Sequence, residues 1–117
     1  MYHLGRILEL SNVSVNNLQK LHIIDTPLDD KATKRLTRKL KQLKLLEELR
    51  MVNLVKLEDN MEALATSLRK HRRLKILDLR QSSLRTRDVS ALVPLLTENK
   101  AIEELDISNA VISRKNM

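Results

Sequence analysis

The side chains best suited to move a proton near neutral pH are His3, His22 and His71, and the absence of cysteine removes both a thiolate nucleophile and thiolate metal ligands. The three histidines are scattered and stand in no metal-ligand spacing, so no metal and no cofactor are expected. Serines and carboxylates are present, but no nucleophile stands with a base, no carboxylates pair on a plausible pocket, and one glycine cannot build a phosphate-cradling loop. Neither an enzymatic activity nor a small-molecule substrate is expected.

The residues whose clustering does suggest chemistry are cations. Lysine and arginine number 22 against 15 acidic residues, a net charge of +7. Residues 31–44 hold Lys31, Lys34, Arg35, Arg38, Lys39, Lys41 and Lys44 without one acid, and residues 69–75 add Arg69, Lys70, Arg72, Arg73 and Lys75. Those twelve are more than half of the 22. Such runs fit a polyanion-binding edge, set on nucleic acid or on the acidic surface of a filament. They also fit ordinary solvation and the preference of helix C-termini for cations. Readers of single-stranded nucleic acid interleave cations with stacking aromatics, and Tyr2 is the sole aromatic in 117 residues.

That lack of aromatics makes any core aliphatic, and leucine, about a fifth of the chain, supplies it. The leucines are periodic. Leu18, Leu46, Leu74 and Ile102 recur at one constant interval and open the windows LQKLHIIDTPL, LEELRMVNLVKL, LKILDLRQSSL and IEELDISNAVI. Leu21, Leu49, Leu77 and Leu105 follow at the fourth place, and Ile23, Met51, Leu79 and Ile107 at the sixth. This alternation suits short strands with one buried face. Between windows the period becomes helical: Leu36, Leu64 and Leu92 align, as do Leu40, Leu68 and Leu96, giving i, i+4 apolar pairs. Acidic residues at 29–30, 58–59 and 88 mark helix starts. Helices are predicted over 30–43, 59–70 and 88–98, with a partial one near 2–10.

A short strand followed by a helix, repeated with a 28-residue period in the form L-x-x-L-x-L, resembles the leucine-rich repeat, in its ribonuclease-inhibitor-like class. Ala91 to Ser108 match it best. The resemblance implies an α/β solenoid of about four repeats, with short parallel strands on a concave face and helices on the convex one. The chain divides into a partial repeat 1–17, repeats 18–45, 46–73 and 74–101, and a partial repeat 102–117. Four parallel strands make a ribbon only about 15 Å wide. The family's ninth-position Asn or Cys, which bonds the turn backbone, is replaced by Thr26, Leu54, Ser82 and Ala110, of which only Thr26 and Ser82 can substitute even partly. Asn53 and Asn109 fall one residue early and Leu57 one late, which predicts a local shift or bulge in the second turn. The usual glycine before the helix is replaced by Ala32, Asn60 and Asp88. Pro94 should kink or shorten the third helix.

The family is mostly a protein-binding scaffold, with relatives among regulators of small GTPases, actin-filament capping proteins and cytoskeletal or ciliary assemblies. The resemblance therefore implies a non-catalytic interaction module. Two surfaces are candidates. The outward strand positions place His22, Arg50, Asp78 and Asp106 on one ladder with Arg80 beside it, where Arg50 and Arg80 would be anchors and an exposed Arg50–Asp78 pair would contribute little. A shift by one period places Lys41 over Arg69 and Lys44 over Arg72, so that Lys34, Arg35, Arg38, Lys41, Lys44, Arg69, Lys70, Arg72 and Arg73 share a basic edge. His71, within the second run, is expected to be a solvated turn residue whose neighbours disfavour its charged form.

Neither end shows a capping unit, which suggests a fragment or a subunit of a larger assembly. No apolar run approaches the roughly 18 residues of a membrane span, and the opening MYHLGRILEL is too short and mixed for a secretory leader. A cytoplasmic protein, with cytoskeletal or nuclear association, is expected. Its partner is expected to be a protein with an acidic surface, nucleic acid being the less favoured alternative.

Overall fold

The computed structural model describes residues 17–54, 60–108 and 111–113. Four strands, β1 (Lys20–Ile24), β2 (Glu48–Val52), β3 (Ile76–Asp78) and β5 (Glu104–Asp106), form one parallel sheet in that order. Their register steps by one full sequence period: Lys20 opposes Glu48, which opposes Ile76, which opposes Glu104. A second parallel pair joins β4 (Ser83–Arg85) to β6 (Val111–Ser113), again one period apart. The spacing of the leucines is thus the pairing offset of the strands.

Four helices are present among the described residues: α1 (Asp30–Leu40), α2 (Met61–Leu68), α3 (Thr86–Ser90) and α4 (Leu92–Glu98). The first starts where a carboxylate can cap it, since Asp29 accepts from the Ala32 N–H at 2.7 Å, and it ends with Arg38 and Lys39 in its last turn. Alternate strand residues (Leu21, Ile23, Leu49, Met51, Leu77, Leu79) pack against Leu36, Leu40, Leu64, Leu68, Leu92 and Leu95 in one cluster. Each such side chain taken out of water contributes about 2 kcal/mol. The helices cover that face of the sheet, and the other carries the polar ladder.

Several expectations need correction. The first two helices end at Leu40 and Leu68 rather than near 43 and 70, because Leu43 and the following turns are drawn down into the core. The third is split at Ala91. Pro94 has no N–H for the Ser90 carbonyl and its ring crowds that oxygen, whereas in the first turn of a new helix the missing donor costs nothing. The left-handed positions are not Ala32, Asn60 and Asp88 but Asp25, Asn53 and Gln81, with φ of 53°, 58° and 61°. These too recur once per period, and their N–H groups donate to Val52, Arg80 and Ser108 of the next strand segment at 3.0, 2.9 and 3.1 Å. The second turn therefore follows the others at Asn53, and Leu57 lies outside the described residues, as do Asn109, Ala110 and the segment near 2–10. What stands is a small mixed α/β fold with a parallel sheet. Four paired strands are too short a stack to display the curvature that defines a solenoid.

Candidate functional site

The strand register brings His22, Arg50, Asp78 and Asp106 side by side on the sheet face free of helices, and Arg80 folds back onto them. With Glu48 they form one continuous chain of side-chain contacts. His22 Nε2 meets Glu48 Oε2; Arg50 donates from Nε to the same carboxylate oxygen at 2.9 Å and from Nη1 to Asp78 Oδ2 at 2.9 Å. Arg80 donates from Nε to both Asp78 oxygens at 3.0 Å and from its backbone N–H to Oδ1 at 3.0 Å, while its Nε lies 3.7 Å from Asp106 Oδ2.

Asp78 is the hub: the Arg50–Asp78 ladder pair forms, and the Asp78 side chain is wholly buried, so the small contribution of an exposed pair does not apply. Burial pushes its carboxyl up, but hydrogen bonds from Arg80 and Arg50 more than offset this and leave it below the usual carboxylate value. Arg50 holds Glu48 below its usual value, with burial opposing and His22 assisting. Ser108 does the same for Asp106 by hydrogen bonding. The carboxylates of the face are therefore ionised and paired internally with Arg50 and Arg80. Its carboxylates already accept from cations, and Arg50 and Arg80, the expected anchors, are committed within the ladder. Glu48 is the member that the sequence placed only in a flanking position. Among the described residues, no cluster of three or more potential metal ligands occurs.

The basic runs are also brought together, though unevenly. Lys41 and Arg69 are the C-caps of α1 and α2, which pack side by side. Lys34, Arg38 and Lys41, spaced four and three residues apart, line a groove of about 620 Å³ whose other wall is Glu62, Ala63 and Thr66. A second cleft, of about 580 Å³, lies among Arg69, Lys70, Arg72, Glu98 and Lys100. Lys34 pairs with Asp30 at 3.1 Å and Arg69 approaches Glu98 at 3.7 Å. Arg35, Arg38, Lys41, Lys44, Lys70, Arg72 and Arg73 are exposed and make no ion pair among the described residues. Lys39 departs from the edge: it is buried, with Nζ donating to Gln42 Oε1 at 3.2 Å.

His71 is likewise no solvated turn residue. It is fully buried beneath the second run, its Nε2 donating to the Leu40 carbonyl at 2.6 Å. Burial above all lowers its pKa, and Lys44 adds to this, while the Leu40 carbonyl opposes it. Asn99, one period later, is its counterpart: Nδ2 donates to the carbonyls of Leu68 and His71, both at 2.9 Å. Leu43 opens the same column, so an apolar residue in one turn and polar residues in the next two concealed the shared role. Ser82 does bond the turn backbone as expected, accepting from the Leu54 N–H at 3.1 Å and donating to the Met51 carbonyl at 2.9 Å.

No known family's sequence profile matches the chain, and no curated protein matches it. Among solved structures its fold is similar to one named Leiomodin-1 Actin-Binding Site 2, with a TM-score of 0.70 and 14% sequence identity over 96% of this chain. The matched region spans 64% of that chain. At this identity the likeness is one of fold: a small α/β architecture with a parallel sheet, similar to a leucine-rich-repeat-like fold. No helix among the described residues is long and apolar enough to cross a membrane.

Proposed function

We propose that this chain is a non-catalytic protein-binding module of the leucine-rich-repeat kind, its described strands forming part of a ribonuclease-inhibitor-like solenoid within a cytoskeletal assembly. The observation that carries this reading is the fold similarity, at a TM-score of 0.70 over 96% of the chain, to a protein named as an actin-binding site. The constant pairing register, one sequence period per strand, supports the repeat class. The sheet face, whose carboxylates already serve as acceptors for Arg50 and Arg80, supports binding rather than catalysis.

Actin is the first partner to test. The chain is mixed with actin filaments and centrifuged, and it is expected to pellet with them in a saturable manner. Recovery in the supernatant at all filament concentrations would overturn the cytoskeletal reading.

A further inference from the structure

The cations that the sheet ladder leaves unused gather at the rim where helices return to strands. Lys41 caps α1, Lys44 stands in the turn after it, Lys70 and Arg72 occupy the next turn, and Lys100 the one after that. Lys44, Arg72 and Lys100 recur once per period and so form one row. All five are exposed and make no ion pair among the described residues.

The preference of helix C-termini for cations acts only within the last turn and leaves Lys44, Arg72 and Lys100, which lie beyond the helix ends, unexplained. The turns that carry the row are held from beneath. His71 is bonded to the Leu40 carbonyl, and Asn99 to those of Leu68 and His71. Backbone bonds from Lys75 to Glu47 (2.8 Å) and from Glu103 to Lys75 (2.8 Å) keep successive turns in step. The row is thus presented on an ordered rim. Because its turns join strands roughly 4.8 Å apart to helices roughly 8–10 Å apart, a pitch between these values is expected. Carboxylates on alternate residues of an extended chain, about 6.6–6.8 Å apart, fall in that interval.

We propose that Lys44, Arg72 and Lys100, flanked by Lys41 and Lys70, bind an acidic segment of a partner protein laid across the successive helix-to-strand turns. This rests on the protein-binding reading above and supplies its face. Single-stranded nucleic acid fits less well, because no aromatic lies among the described residues to stack a base. Duplex backbone, with a charge every ~1.7 Å of axis, calls for a longer and denser basic surface than three turns provide.

The test follows amide shifts of the isotope-labelled chain during titration with poly-L-glutamate at low salt, with duplex DNA as a parallel arm. Shifts are expected at residues 41–44, 70–73 and 99–101. Lys44→Glu with Arg72→Glu should weaken binding at least about tenfold. Lys31→Glu with Arg87→Glu makes the same change in net charge at exposed positions outside the basic edge and should stay within about twofold. Lys44→Gln with Arg72→Gln serves if the reversed variant fails to fold. Absence of shifts, shifts centred on the sheet ladder, equal weakening by the two reversals, or tighter binding of duplex DNA would each overturn the proposal. Filament pelleting separates it from the cytoskeletal reading. If poly-L-glutamate binds at the rim but filaments do not pellet the chain, only the cytoskeletal reading falls. If filaments pellet the wild type and the Lys44, Arg72 variant equally, only the rim falls.

Discussion

His71 Nε2 donates to the carbonyl oxygen of Leu40 at 2.6 Å, tying the C-terminal end of α1 to the turn that follows α2 across 31 positions of sequence. The ring is fully buried, so it is held neutral. Its folded pKa lies below the ordinary 6.5, which means the unfolded chain takes up the proton first. Stability from this group is complete above pH 6.5 and is lost as the pH falls from there through the lowered folded value. Urea melts from pH 7.5 downward, to about pH 5, are expected to show this loss, and His71→Asn should flatten it. His71→Ala should cost about 2–3 kcal/mol at pH 7.5 through the cavity and the orphaned carbonyl.

Asp78 is the acceptor for two arginines and is itself buried, whereas Arg80 is 45% exposed. Asp78→Ala should therefore cost about 2–3 kcal/mol by removing the buried acceptor that Arg50 and Arg80 share, leaving Arg50 only Glu48 and Arg80 only the more distant Asp106. Arg80→Ala should cost markedly less, because solvent screens its exposed guanidinium. Because the Asp78 pKa is lowered, its contribution is present above pH 3.8 and is lost as the pH falls below that. Equal costs for the two variants in chemical denaturation would contradict the hub role of Asp78.

Ser82 stands where the repeat family places a turn-bonding Asn, and its buried hydroxyl serves both the Leu54 N–H and the Met51 carbonyl. Ser82→Ala orphans a buried donor and acceptor and is expected to destabilise by about 1–3 kcal/mol. Ser82→Asn should recover part of this, thermal melts of the two variants being the measurement. Thr26→Ala, whose exposed hydroxyl only reaches the nearby Ile24 carbonyl at 3.1 Å, should change stability by less than about 0.5 kcal/mol.

Gln81 holds φ at 61°, a conformation that its side chain tolerates less well than Asn53 or Asp25 do at the equivalent positions. Gln81→Gly should raise stability by up to about 1 kcal/mol. Asn53→Gly should not, because Asn53 Nδ2 also bonds Asp25 Oδ1 at 2.7 Å. A lower melting temperature for Gln81→Gly would show that the turn depends on the side chain.

Much of the fold was legible in the recurrence of the leucines. It predicts which strand residues oppose one another, and the pairing of His22 with Arg50, Asp78 and Asp106 follows from it. It predicts the helix faces of Leu36 with Leu40 and Leu64 with Leu68, but in the last helix Leu96 is exposed and Leu95 is buried in its place, because the break at Ala91 starts a new helix with its own phase. The helix N-cap at Asp29 and the disruption near Pro94 were legible too, because both depend on residues within one turn. The left-handed residues were misplaced, since Asp25, Asn53 and Gln81 share a backbone conformation without sharing a residue type. The column of Leu43, His71 and Asn99 was hidden for the same reason: its members share a location, and only two of them share a bond.

By itself, then, the sequence determined the period, the alternation and the offset at which segments pair, because apolar residues at fixed spacing must be buried together. Tertiary structure alone decided which polar groups are engaged. Whether Asp78 and His71 face water, and whether Arg50 and Arg80 are committed while Lys44 and Arg72 are not, depends on what the neighbouring segment presents at hydrogen-bonding distance. Spacing along one chain sets direction, but the energy of a charge is set by the partners and the solvent around it.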